Sequence, residues 1–361
     1  MSEVSGFRFV EYTPEWFERV QEGINGNNPA ATLGCRDYVD YYYATGDWCR
    51  LYLAVDDAGA VVATQGGELM PFQCGPTRVV LCYNNDLLSK RPGAGLYLFR
   101  RWMQTAKSRG IAIGGADDFQ RIIRFFGWRY FEGVRLYDLN RAYSRNKSDG
   151  WFRLAAKNLI DHFRRRNLSG FASRIPAWVS GEISVREEVA FTEDMLPQAA
   201  PFTFRFAPSV DYLNWRYNTK LPFVCYRLFR IMSRGCTSGY VVINEFPRRL
   251  VVAQCDGNDP ATLAYGVLLS ILEAGKDDTQ PRSVLLISSH SVMRPIFEEF
   301  GFRAALEQKP LAIGGMRPDV DLPANTAGWL VNLDWGGRVL RQPFAMRPGT
   351  AASVAKVTSP P

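Results

Sequence analysis

Histidine is nearly absent from this chain. His162 and His290 are the only two in 361 residues, too few for a multi-histidine metal centre. The seven cysteines form no C-x-x-C pair, and their odd number fits small buried thiols rather than a disulfide framework or a zinc site. Apolar runs stop well short of the roughly 18–20 residues that span a bilayer. Residues 1–6 have neither the basic start nor the apolar stretch of a secretory leader. These absences point to a soluble, cytoplasmic protein that holds no metal. What the chain has in quantity is apolar: 47% hydrophobic and 13% aromatic residues against 22% charged, a globular composition with ring-rich cores. The length suits two domains. A net charge of +7 is mild, so its placement matters more than its sum.

The first half reads as a strand (7–12), a helix from Pro14, a helix (36–44) and three strands (49–55, 60–72, 77–83). A helix (96–109), a strand (111–116), a helix (118–126) and a last strand (130–139) follow. After residue 183 much of this order returns. Strands at 224–232, 239–245 and 250–256 lead to a helix at 259–275, capped by Asp259 with Pro260 in its first turn. A strand (283–288) and a helix (291–300) complete it. Phe126-Gly127-Trp128 and Phe300-Gly301-Phe302 close corresponding helices. The repetition reads as an ancient duplication. The expected organisation is a domain at 1–142, a basic helical linker at 143–183, a second domain at 184–340 and a disordered tail at 341–361. Within 141–174, nine basic residues face the two acids Asp149 and Asp161, and Trp151, Leu154, Leu159 and Phe163 recur at helical spacing. That basic amphipathic segment, with Arg164-Arg165-Arg166 on it, is either a solvated connecting helix or a contact for an anionic partner.

One stretch carries recognisable chemistry. Ser89-Lys90-Arg91-Pro92-Gly93-Ala94-Gly95-Leu96 joins the third strand of a meander directly to a helix. Amides at such a helix start, helped by the helix dipole, bind phosphate. Gly93 and Gly95 let the backbone come close, and Lys90 and Arg91 add positive charge. The corresponding turn of the second half, Asp256-Gly257-Asn258-Asp259-Pro260, has no G-x-G and no cation. Its carboxylates would repel a phosphate, which places the anion site in the first half alone.

With Lys90-x-x-Gly93-x-Gly95 after the meander, and a late helix ending in Gly127-Trp128, the chain resembles the GCN5-related N-acetyltransferase superfamily. That family's pyrophosphate loop reads Q/R-x-x-G-x-G/A; here Lys takes the first place. The likeness covers nearly all of 7–140, and 185–335 is similar in element order. Tyr212-Leu213-Asn214-Trp215-Arg216-Tyr217 resembles tandem members. The resemblance implies a mixed α/β (α+β) fold of two tandem acyl-CoA N-acyltransferase-like domains, each a mostly antiparallel sheet flanked by helices. It also implies acyl-CoA in a splayed cleft of the first domain, touching Tyr83, Leu88, Lys90, Arg91, Gly93, Ala94, Gly95 and Leu96. In this family an acid is often a tyrosine four residues before the Gly-Phe pair. Ile123 and Phe297 stand there, so that role is vacant.

Aminolysis of a thioester needs a proton acceptor and support for the oxyanion. Asp86, just before the loop, and Glu68, inside an otherwise apolar strand, are the carboxylates best placed for the first task. His290, at a strand end, is the third candidate if it faces the same cleft. Tyr212, Trp215 and Arg216 form either a wall for the acceptor or a cluster of core aromatics around a salt-bridged arginine. The expected activity is acyl transfer, acetyl above all, from CoA to the amine of a small molecule or amino sugar. Three alternatives stay open: a Fem-type transferase using aminoacyl-tRNA, an enzyme fed by acyl carrier protein through the basic segment, and a non-catalytic acyl-CoA sensor or scaffold. Self-association into a homo-oligomer stays open too.

Overall fold

A computed structural model describes residues 6–336 apart from 26–31, 107–108, 116, 141–149, 154, 157–158, 160–165, 199, 306–307, 309, 315–321 and 323–324. The expected tail at 341–361 and most of the basic run, Arg164 and Arg165 included, lie outside the described residues.

The first half supplies β1 (Arg8–Glu11), α1 (Phe17–Val20), α2 (Arg36–Ala44), β2 (Cys49–Val55), β3 (Val61–Cys74) and β4 (Thr77–Ser89). It continues with α3 (Ala94–Ala106), β5 (Arg109–Ile113), α4 (Asp117–Phe125), β6 (Arg129–Phe131) and β7 (Arg135–Leu139). The second half supplies β8 (Ile183–Glu188), β9 (Phe204–Phe206), β10 (Tyr226–Ser233), β11 (Cys236–Phe246) and β12 (Arg249–Gly257). Its last strands are β13 (Ser283–Ser288), β14 (Arg303–Ala304) and β15 (Leu311–Gly314), with helices at Val210–Arg216, Pro260–Ala274 and Met293–Phe300.

Two sheets result, ordered β1-β2-β3-β4-β5-β15-β6, with β9 against β3, and β14-β7-β13-β12-β11-β10-β8. Both mix antiparallel and parallel pairs, and the fold is the expected tandem of mixed sheets flanked by helices. The single strand expected at 130–139 is two strands. Gly133, at φ +89°, turns the chain between β6 and β7, and Thr326 Oγ1 donates to Glu132 O at 2.7 Å across the crossing. Past that turn β7 leaves its own sheet and lies between β13 and β14, while β15 fills the gap between β5 and β6. Ile313 stands opposite Ile111 in the first sheet, and Tyr137 opposite Leu286 in the second. A cut near residue 142 therefore leaves strands of each sheet on both sides of it.

Packing follows from the faces. One apolar cluster joins Leu53, Phe72 and Ile111 of the first sheet to Leu228, Val242 and Leu285 of the second. On the outer face of the first sheet, α3 buries Leu98, Phe99 and Trp102, spaced to share one side of a helix. Gly67 makes room for this: a Cβ there would lie 2.3 Å from Trp102 Nε1. The helix Pro260–Ala274 covers the second sheet through Leu263, Val267 and Ile271.

Because each sheet contains a strand of the other half, the two unfold together. Scanning calorimetry should show one transition, with calorimetric and van't Hoff enthalpies in agreement; two resolved transitions would contradict the exchange.

Candidate functional site

The parallel pairing of β4 with β5 lasts for Leu81↔Arg109, Cys82↔Gly110 and Tyr83↔Ile111, then stops. Past Tyr83 the strands part, opening a cleft of about 360 Å³, within the range of ligand sites. Tyr83–Leu88 form one wall, and Ala112–Gly115 with Phe119 the other, with Thr32 and Leu33 at one end. A bulge drives the divergence. β3 and β4 pair at Gly66↔Asn85 and next at Thr64↔Leu88, so Asp86 and Leu87 together oppose Gln65. Asp86 takes φ +48°, a left-handed conformation that a bulge accommodates, and its carbonyl accepts from Thr64 Oγ1 at 2.9 Å.

The Asp86 carboxylate lies in this cleft and is braced from α2. Tyr43 donates to Asp86 Oδ2 at 2.5 Å and Tyr38 to the same oxygen at 3.4 Å; Tyr43 also reaches Asn85 Oδ1 at 3.2 Å. Burial, and then the Asp86 charge, push both phenols well above the usual tyrosine range, so both remain donors. Gly66 leaves the space: a Cβ there would sit 1.8 Å from Asn85 Oδ1. A carboxylate held in this way can orient an ammonium group or take a proton from it.

Tyr83 and Leu88 line the cleft. At its mouth, Ser89 shapes the loop by donating to Arg91 O at 2.9 Å and accepting from Gly95 N at 3.2 Å. Gly93 has φ +82°, and a Cβ added to it would meet nothing within 4 Å. Lys90 and Leu96 are exposed, whereas Ala94 is packed under the helix with Val62 and Leu98. Arg91 pairs with Asp56 at 3.4 Å and lies over the Phe7 ring.

The other sequence candidates assemble elsewhere. Glu68 is in the interior, accepting from Tyr212 Oη and, at 3.0 Å, from Arg216 Nε. Arg216 also reaches Asp334 Oδ2 at 2.9 Å, which Tyr217 bonds as well. The Glu68, Arg216 and Asp334 side chains are each no more than 3% exposed. Burial works against the arginine's charge, but Asp334 and Glu68 hold its pKa up; burial pushes both carboxyls up against the opposing arginine. Trp215 stacks among Tyr41, Trp48 and Tyr212. Of the two readings of Tyr212, Trp215 and Arg216, their placement is that of core aromatics around a salt-bridged arginine, and Glu68 is its partner rather than a cleft carboxylate. His290 lies two residues past β13, edge-on to Phe202, its Nδ1 accepting from Val292 N at 3.2 Å. Burial pushes its imidazole down, and it is not brought to Asp86. Ile123 and Phe297 are buried in apolar clusters.

β12 and β13 part in the same way after Val251↔Leu285, but residues 330–333 fill that wedge and leave about 10 Å³, less than one water needs. Asn332 takes both backbone groups of Cys255, accepting from its N at 2.9 Å and donating to its O at 3.2 Å. The charge-repulsion reading of the neighbouring turn needs correcting at Asp256. Asp256 is buried and paired with Arg205 of β9, and Asp259 caps the helix, accepting from Thr262 N at 2.7 Å. Asp256 is spent inside the fold, whereas Asp259 stays exposed at the helix start.

No family model and no curated protein matches this chain. Solved structures do. N-myristoyltransferase of Saccharomyces cerevisiae, solved with bound myristoyl-CoA, superposes with TM-score 0.53 at 10% identity, over 92% of this chain and 90% of that one. A GCN5-related N-acetyltransferase from Kribbella flavida superposes with TM-score 0.51 at 13% identity, over 86% and 72%.

Two measurements check this geometry. Arg216→Met strands two buried carboxyls and costs about 3–5 kcal/mol in denaturant unfolding; a loss under about 1 kcal/mol would contradict the cluster. Burial raises Asp256 to about 7 against the pull of Arg205. A raised native value makes its contribution complete below the unfolded pKa of about 3.9 and lost as pH climbs through about 7. Wild type should therefore lose stability over that window by up to about 1.4 kcal/mol per pH unit more than Asp256→Asn; parallel profiles would contradict the assignment.

Proposed function

We propose that this chain, whose two halves carry the fold of the GCN5-related N-acetyltransferases, moves an acyl group from coenzyme A to an amine in its first cleft only. The observation that carries this reading is the contrast between two equivalent wedges. One is open and adjoins a glycine loop; the other is filled by the chain itself. The two solved neighbours are acyltransferases, one of them holding an acyl-CoA, which supports the same chemistry.

The diphosphate of CoA sits on the start of α3, where Gly93 offers a close approach and Lys90 a cation. The pantetheine arm runs along β4 beyond Tyr83 in the place a fifth strand would pair. The acceptor, a small molecule or amino sugar with a primary amine, enters from the α2 side, where Asp86 takes the proton that leaves its nitrogen. The nitrogen bonds to the thioester carbon, the carbon–sulfur bond breaks, and CoA departs as thiolate. Ile123, apolar and buried, gives that thiolate no proton, so water supplies it.

Thermal melts of the full chain with acetyl-CoA test the reading. Ligand at 100 times Kd adds about 2.7 kcal/mol. Gly93→Val, whose side chain would stand where the phosphate approaches, abolishes the shift. Asp259→Ala lowers the basal melt by about 1 kcal/mol for the lost cap and keeps the shift. Loss of the shift in Asp259→Ala instead, or no shift in wild type with acetyl-CoA, myristoyl-CoA or CoA, would overturn it.

A further inference from the structure

Asn84 projects from the cleft-lining part of β4 and is buried, yet its Nδ2 has no hydrogen-bond partner among the described residues. A buried amide donor left unpaired is unfavourable, so its position asks for a ligand acceptor. Its orientation is fixed by Gln65. The Gln65 Nε2 donates to Gly66 O at 2.6 Å, to Asn85 O at 3.3 Å and to Asn84 Oδ1. The two backbone carbonyls, Gly66 O and Asn85 O, identify that atom as the nitrogen, so the Asn84 atom facing it must be the oxygen. Nδ2 is then the group that points away from Gln65.

The bulge separates Asn84 from Asp86. Asn84 shares a face with Cys82, which packs with Phe99 and Trp102 of α3, whereas past the bulge Asp86 turns to the tyrosines of α2. The wedge lies between a donor on one side and a carboxylate on the other. We infer that Asn84 Nδ2 hydrogen-bonds the thioester carbonyl oxygen of bound acyl-CoA and carries the oxyanion as the amine adds from the Asp86 side. Gln65 is the positioning residue that holds the carboxamide in that sense. The inference rests on the acyl-CoA reading above and assigns a further catalytic residue to that site.

Isotope-edited infrared spectroscopy of acetyl-CoA carrying ¹³C at the thioester carbonyl reads this contact without any acceptor. Bound to the wild-type chain, the carbonyl band lies below its position in free acetyl-CoA. In Asn84→Leu, close in shape but without a donor, it returns toward the free position while the acetyl-CoA melt shift persists. Gln65→Leu moves it part of the way. Asn84→Ser, smaller and easier to accommodate, gives the same return if the leucine variant does not fold. An unchanged band in either Asn84 variant with acetyl-CoA bound would overturn the inference and leave the acyl-CoA reading standing, as would a contact with the pantetheine amides instead. Failure of wild type to bind acetyl-CoA would overturn both.

Discussion

β4 stays parallel to β5 through Tyr83 and then leaves it, because Asp86 and Leu87 share one partner on β3. Much of the site is arranged around that departure. Gly66 and Gly67 clear the two faces of β3 for Asn85 and Trp102; Tyr38 and Tyr43 brace the carboxylate exposed by the bulge; Ser89 folds the loop at the mouth. A cleft made by parting two strands keeps its depth only if the surrounding layers prevent them from closing, and α2 and α3 do so from opposite faces. The second sheet contains the same departure between β12 and β13 but closes it with residues 330–333. The two halves share an architecture and have spent it differently.

The segment that fills the second wedge also serves the first. Asn332 occupies the backbone of Cys255, and two residues on Asp334 reaches Arg216, which reaches Glu68 on β3, the partner of Tyr83 in the ladder. Burying three titratable groups is unfavourable unless each is paired, so the cluster commits the helix Val210–Arg216, residues 330–334 and β3 to one mutual arrangement. The exchange of β7 and β15 does the same at the sheet edges. The second half is thereby packed against the sheet that bears the open cleft.

Much of this was legible in the sequence. Strands 49–55 and 283–288 and the helix 36–44 fall where the local apolar pattern puts them. The glycine loop and its loss in the second copy could be read in the same way. The exchange could not: the pattern of 130–139 asks for strand neighbours without saying whose, and Gly133 is the single local sign of a break. Glu68 illustrates the limit of composition. A carboxylate in an apolar strand announces burial, but whether it meets substrate or Arg216 depends on a contact 148 positions away in the chain. The bulge was hidden as well, because Asn84-Asn85-Asp86 reads as a polar interruption until the register with Thr64 and Gly66 is known.

Hydrogen–deuterium exchange of the full chain with and without CoA tests most directly which wedge takes the ligand. The account predicts that CoA slows exchange at residues 82–98, on β4, the loop and the start of α3, and leaves 254–266 unchanged. Slowing confined to 254–266, or none in either stretch at saturating CoA, would contradict it.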